Sequence, residues 1–244
     1  TAGTLIKTAG TGTTTFAGST VGPARLNNSG LLRLQNGALV LPGNGTHSGT
    51  FLVETNATLN FTSGTHTMAG SVHFEVPGQV LFSGANVTFA GGYAIDGNAG
   101  ISSGAVSFTA GSQISGTLSL SGGTLCGGGD VTVTNAMNLS GGTLSGAGSL
   151  TMRPGGTLAI SGGADKSLNR VLRNAGSLVW SGGRIFAANG VINNLAGTIF
   201  EVRSDQPFYD GEINNAGTLI KTAGTGTTTL AGSSVGPARL NNSG

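Results

Sequence analysis

Along most of the chain, large apolar residues come in pairs two positions apart: Leu39 and Leu41, Leu59 and Phe61, Val80 and Phe82, Val106 and Phe108, Leu118 and Leu120, Met137 and Leu139, Leu158 and Ile160, Leu178 and Trp180. The residue between the members of a pair is often small or polar, as in Leu59-Asn60-Phe61. This alternation is the signature of a strand with one buried face. No stretch sustains the i, i+3, i+4, i+7 spacing of an amphipathic helix. The pairs run into glycine corners such as Gly122–Gly123, Gly141–Gly142, Gly162–Gly163 and Gly182–Gly183, where a residue able to adopt positive φ lets the chain turn sharply.

The spacing of the pairs carries more information than the pairs themselves. Their first members, taken with the weaker motifs at Leu5, Ile199 and Leu219, make ten steps from Leu5 to Leu219, with a mean near 21. A short, regular period of strands and glycine corners predicts an all-β chain wound as a parallel β-helix (β-solenoid), about 21 residues per coil. Right-handed winding is expected for parallel connections. Each strand then pairs with its equivalent one coil away, and like residues stack into ladders. Three steps are irregular. The pair of steps around Val106 reads as one misplaced anchor, and the long step from Leu5 to Leu39 predicts a loop insertion around Thr11–Ala24. Trp180, the lone tryptophan, falls in the buried ladder.

A longer repeat lies over the short one. Residues 1–30 and 215–244 match at 27 of 30 positions, differing at Thr1/Asn215, Phe16/Leu230 and Thr20/Ser234. The chain therefore reads as one 214-residue unit of about ten coils, residues 1–214, followed by the start of a second copy, 215–244. A single continuous solenoid over 1–244 is expected, cut from a longer array, with neighbouring copies stacked end to end as its partners. At a strand spacing of about 4.8 Å, ten coils span roughly 48 Å. The two copied coils are expected to be related by that translation.

Charge interrupts the buried ladder at Glu201 and Lys221, which fall at equivalent places of neighbouring coils. If both face inward they must pair, because an unpaired buried charge is costly. If instead the strand is flipped, Phe200 and Val202 are buried. The doublets Asn27-Asn28, Asn193-Asn194 and Asn214-Asn215 suggest stacked amide ladders at a corner.

Composition narrows the functional classes. Only 8% of residues are charged, so the net charge of +2 and the high pI reflect scarcity of charge. The eight Arg and three Lys are scattered singly, which excludes the basic stripe that nucleic-acid binding needs. No apolar run is long enough to span a membrane, and no basic-then-apolar leader opens the sequence. The single cysteine, Cys126, excludes an intrachain disulfide and a cysteine-based zinc site. One acidic column merits weighing as chemistry: Arg33, Glu54, Glu75 and Asp96 are each 21 apart. Stacked on one exposed sheet, Glu54, Glu75 and Asp96 are a weak candidate for a cation site or for acid–base work on a polysaccharide. The alternative is a solvated column in which Arg33 offsets Glu54. His47 and His66 share similar contexts 19 apart and are expected to stack in one corner, without a third ligand for a metal. No catalytic residue, metal site or cofactor is expected.

The motifs spanning Gly116–Leu125, Gly176–Gly183 and Asn214–Thr222 resemble the repeat regions of very large bacterial surface proteins, the filamentous-haemagglutinin-like adhesins and autotransporter passenger domains. The resemblance implies a secreted or cell-surface β-helix serving as stalk or adhesive fibre, with no shared catalytic residues. A glycan- or host-surface-binding module is the alternative function, and a polysaccharide-active enzyme a more distant one.

Overall fold

The computed structural model describes residues 3–18, 22 and 24–244; part of the Thr11–Ala24 insertion lies outside the described residues. Among these residues every regular element is a strand. Three short strands make each coil, as in Leu31–Leu34, Gly37–Leu41 and Gly45–His47, followed one coil later by Thr50–Val53, Ala57–Phe61 and Thr65–Met68. We call the surfaces they build faces one, two and three. All the strand pairings between coils are parallel, and one coil carries the chain from Leu31 to Thr50 on face one and from Leu39 to Leu59 on face two. Leu59 lies directly beside Val80, and Leu158 beside Leu178. The chain is a β-solenoid.

The core is the continuous stack of inward residues. On face two one ladder runs Leu39, Leu59, Val80, Ala99, Leu118, Met137, Leu158, Leu178 and Phe200, all buried. A second runs two positions further on through Phe61, Phe82, Ile101 and Leu120 to Trp180 and Val202. Stacked rings reinforce the ladders: Phe61 lies on Phe82 at 5.6 Å and Phe89 on Phe108 at 4.8 Å between centroids. Trp180 is fully buried and donates from Nε1 to the carbonyl of Gly183 at 2.9 Å.

Val106 and Phe108 therefore do not belong to the face-two ladder; Ala99 and Ile101 take those places. Gln79–Phe89 and Asn98–Phe108 each run unbroken around the corner from face two to face three. Such a strand carries two alternating apolar pairs per coil, and the second pair lies beside Val87 and Phe89 on face three. The long step from Leu5 has a related cause. Leu5 pairs with Leu32 on face one, across a coil longer than those that follow, and Leu39 stands one face further along.

Corner glycines have the conformation expected of them. Gly104, Gly123, Gly142, Gly162 and Gly183 all have φ between 65° and 81°. A Cβ on Gly123 would stand 2.7 Å from the carbonyl oxygen of Gly104 in the coil below. Asparagine ladders close another corner. Asn174 Nδ2 donates to Asn194 Oδ1 at 2.8 Å, Asn194 to Asn215 at 2.7 Å and Asn215 to Asn242 at 2.7 Å, with the first three side chains buried. An outer ladder joins Asn193, Asn214 and Asn241.

Candidate functional site

The acidic column does not form one site. Its even spacing is not the local coil spacing: Arg33 lies beside Leu52, two positions short of Glu54, and Leu52 lies beside Glu75. Glu54 thus falls just past its strand, where its Oε1 accepts from Arg33 Nε at 2.7 Å and Nη2 at 2.6 Å, and from Gln35 Nε2 at 3.3 Å. The Arg33 hydrogen bond holds the Glu54 carboxyl below the usual carboxylate value. Glu75 and Asp96 are brought together instead, at the rim of an open depression of about 240 Å³ that also contains His73. His73 Nε2 lies 3.3 Å from Glu75 Oε2, with both side chains half-exposed or more. Among the described residues no three His, Cys, Asp or Glu side chains converge as a metal site would require.

Glu201 and Lys221 do not pair. The strand Ile199–Val202 is flipped relative to the motif: Phe200 and Val202 are buried, at 0% and 7% exposure, and Ile199 is 50% exposed. Glu201 consequently faces outward beside Ile220, while Lys221 lies beside Val202 at an inward position. Each charge finds a nearer partner. Glu201 Oε2 pairs with Arg203 at 2.8 Å, two positions on along the same side of the strand, and its Oε1 accepts from Thr222. Lys221 reaches over the edge of the core, and its Nζ donates to Asp205 Oδ1 at 2.5 Å, Thr228 Oγ1 at 2.9 Å and the Ser204 carbonyl at 3.2 Å.

His47 and His66 do stack, with rings 5.4 Å apart and 10° from parallel, and both are buried. The strand register places His66 beside Gly45, whose missing side chain leaves room for the His47 ring. His47 Nδ1 accepts from the Asn28 amide at 3.3 Å, so its Nε2 carries the proton and donates to His66 Nδ1 at 3.1 Å. His66 Nε2 is then a buried donor without a partner. Burial, and secondarily the neighbouring His66, pushes the His47 pKa down to about 4, and burial lowers that of His66.

Two buried cations escaped the sequence reading. Lys166 is fully buried, and its Nζ donates to the corner carbonyls of Gly162 and Gly182 at 3.1 and 3.0 Å. Arg170 spans three coils, donating to the carbonyls of Gly129, Gly148 and Ser149 at 2.9–3.2 Å. Burial lowers the pKa of both. A signal existed for Lys166, which stands two positions before the inward Leu168. Both groups tie the corners of neighbouring coils together through backbone carbonyls. Cys126 is half-buried on face three and forms no disulfide.

On the outer side of face two, the missing side chain of Gly100 leaves an open trough of about 450 Å³. Its walls carry Gln79, Ser83, Asn98, Ser102, Thr117 and Ser119, all uncharged. Hydroxyls and amides there can make directional hydrogen bonds, but no titratable group lines it.

The fold defines the chain as a β-solenoid, built of ladders of like residues stacked from coil to coil. No family model, curated protein or solved structure matches the chain, and no comparison links it to the surface-protein repeats its motifs resemble.

Proposed function

We propose that this chain is a structural segment of a long extracellular or cell-surface fibre, built from tandem 214-residue solenoid units in the manner of an adhesin stalk. Its role is mechanical, without catalysis or cofactor: each added unit extends a rod by about 50 Å. The observation that carries this reading is the 27-of-30 identity between residues 1–30 and 215–244, taken with the apolar surface of the terminal coils. Leu5, Ile6, Ile220, Leu230 and Leu240 are all exposed there, and uncovered strand edges favour continued stacking. The copied coil thus serves as the seat for one unit and the lid of another.

The test is to lengthen the chain by adding residues 31–244 after Gly244. Each new junction then repeats the natural Gly30–Leu31 step. Scattering and electron micrographs should show a rod growing by about 50 Å per addition. A compact particle whose length does not scale with the number of units would end the proposal.

A second reading, glycan binding, is favoured by the uncharged trough over Gly100. Screening the full chain on a glycan array is its test. Binding abolished by Ser119→Trp would support it, and absence of binding would dismiss it.

A further inference from the structure

The two copies of the 30-residue segment do not occupy equivalent places in the coil. Thr4–Lys7 pairs with Leu31–Leu34 at the base of face one. Its copy, Thr218–Lys221, pairs with Ile199–Val202 on face two, in the column that descends through Ser177–Trp180 to Gly37–Leu41 and Thr13–Thr15. The same displacement recurs in the other two strand positions. The Phe16 amide donates to Val40 on face two, at 3.1 Å, whereas its copy Leu230 pairs with Phe208 on face three. Residues 25–28 lie under face three, the Leu26 amide donating to Asn44 and the Ser48 amide to Asn28. Their copy, Arg239–Asn242, pairs with Glu212–Asn215 on face one. All three positions have moved one face forward.

We infer that consecutive 214-residue units are joined with a rotation of one third of a turn, so that the fibre is a three-fold screw of units. The inference rests on the tandem-fibre reading and adds the geometry of its junction. The cause is arithmetic. With three strands per coil, ten full coils from Thr4–Lys7 end at Glu212–Asn215, and the copied strand Thr218–Lys221 is the next one along. One unit is therefore ten coils and one strand, and the face on which each unit begins advances by one. A head-to-tail contact that combines translation with such a rotation propagates as an open helical filament.

The side chains of the copied coil fit both of its seatings. Leu219 lies beside Phe200 below it, and its equivalent Leu5 lies beside Leu32 above it. Overlaying the two images makes one unbroken ladder across the junction. The same holds at the corner, where Asn242 receives the amide of Asn215 and its equivalent Asn28 gives its backbone amide to His47. The asparagine ladder of one unit thereby runs into the histidine pair of the next. Lys221 also shows what Lys7 gains in the array, a carboxylate partner equivalent to Asp205 of the preceding unit.

Two consequences follow for the rod. Apart from the strand twist accumulated along the rod, a feature on one face of a unit, such as the trough over Gly100, points in three directions along the fibre and returns to the same side with every third unit. That return corresponds to about 150 Å. Any bend intrinsic to a unit is also redirected at each junction, which opposes net curvature of the rod.

The decisive measurement is electron cryomicroscopy of a four-unit chain, made by adding residues 31–244 three times, with a maleimide gold cluster on each copy of Cys126. Labels should lie about 50 Å apart along the axis. After subtraction of the strand twist read within one unit of the same map, each should be a third of a turn from the last. Every third interval should bring a label back into line. Labels on one side of a rod of the expected length would overturn the inference and leave the fibre reading intact. A particle that fails to elongate would overturn the fibre reading, and the inference with it.

Discussion

Single residues in this fold act through the coil above and the coil below, and the His47–His66 pair and Gly123 make measurable predictions. The His47–His66 pair is neutral at pH 7, and its folded-state pKa values lie below the ordinary histidine value, that of His47 at about 4. Between those limits the unfolded chain binds more protons than the folded one, so stability is complete above pH about 7 and falls as acid is added. The loss through His47 alone amounts to about 3 kcal/mol by pH 4. The carboxylates Glu54 and Asp205, stabilised in their charged form by Arg33 and Lys221, lose their contribution only below their unfolded values near 4. Urea unfolding between pH 7 and 5 consequently isolates the histidines. The midpoint should decline over that range in the native chain and decline much less in the His47→Gln/His66→Gln double variant. Gly123 offers a second test. Its φ is 65° and a Cβ would press on the Gly104 carbonyl, so Gly123→Ala should cost about 2 kcal/mol. Gly163, which has open space around it, should accept alanine with little change.

At the level of the element, the stabilising unit is the ladder, and the asparagine corner shows why a ladder is more than its rungs. Asn194 accepts from Asn174 and Thr198 and donates to Asn215 and the Thr218 carbonyl. Asn194→Leu leaves several buried polar groups unpaired at once, and should destabilise by about 3 kcal/mol in thermal or urea unfolding. Asn193→Leu, on the partly exposed outer ladder, should cost less than about 1 kcal/mol. These ladders were legible in the sequence because identical residues recur at the coil length. So were the face-two core from Leu118 to Leu178 and the glycine corners, where one motif occurs once per coil. Legibility failed where that condition broke. Around Val106 a strand continues round a corner and displays the apolar pair twice, so the periodic motif selects the wrong face. At Ile199–Val202 the burial phase slips by one position, which exposes Ile199 and turns Glu201 outward. Period-two alternation reads equally well in either phase when both neighbours are apolar. The acidic column failed for a third reason. Its constant spacing mimics a ladder, while of the two real coils there, Arg33 to Leu52 is shorter than that spacing and Leu52 to Glu75 longer. The burial of Lys166 and Arg170 depends on corner carbonyls presented by neighbouring coils; the phase shared with Leu168 marks Lys166 as inward, whereas no local pattern announces Arg170.

The whole molecule behaves as a one-dimensional stack, in which strands pair with those of the adjacent coils and stability is approximately a sum of coil and interface terms. Its weakest parts should be the coils with a neighbour on one side only. Residues 215–244 are such a coil: Arg239 donates its amide to Gly211, yet Leu240 on the same strand is 46% exposed. Its copy Leu26, covered by the coil above, packs against the core. Adding residues 31–244 after Gly244 places the first copy of 215–244 inside the rod and leaves an identical copy at the new end. Peptides that include Leu230 or Ser234 are the same from both copies and differ from those of residues 1–30, so hydrogen exchange read on them by mass spectrometry should show two populations in equal amount. One should exchange as in the unextended chain and the other at least ~10-fold more slowly, since an interior coil opens only by breaking two interfaces. A single fast population would mean that the added unit does not seat on the copied coil. The covered population reports the stacking contact, whereas its orientation is read only from the label positions along the rod, so the two measurements separate whether units join from how they are turned.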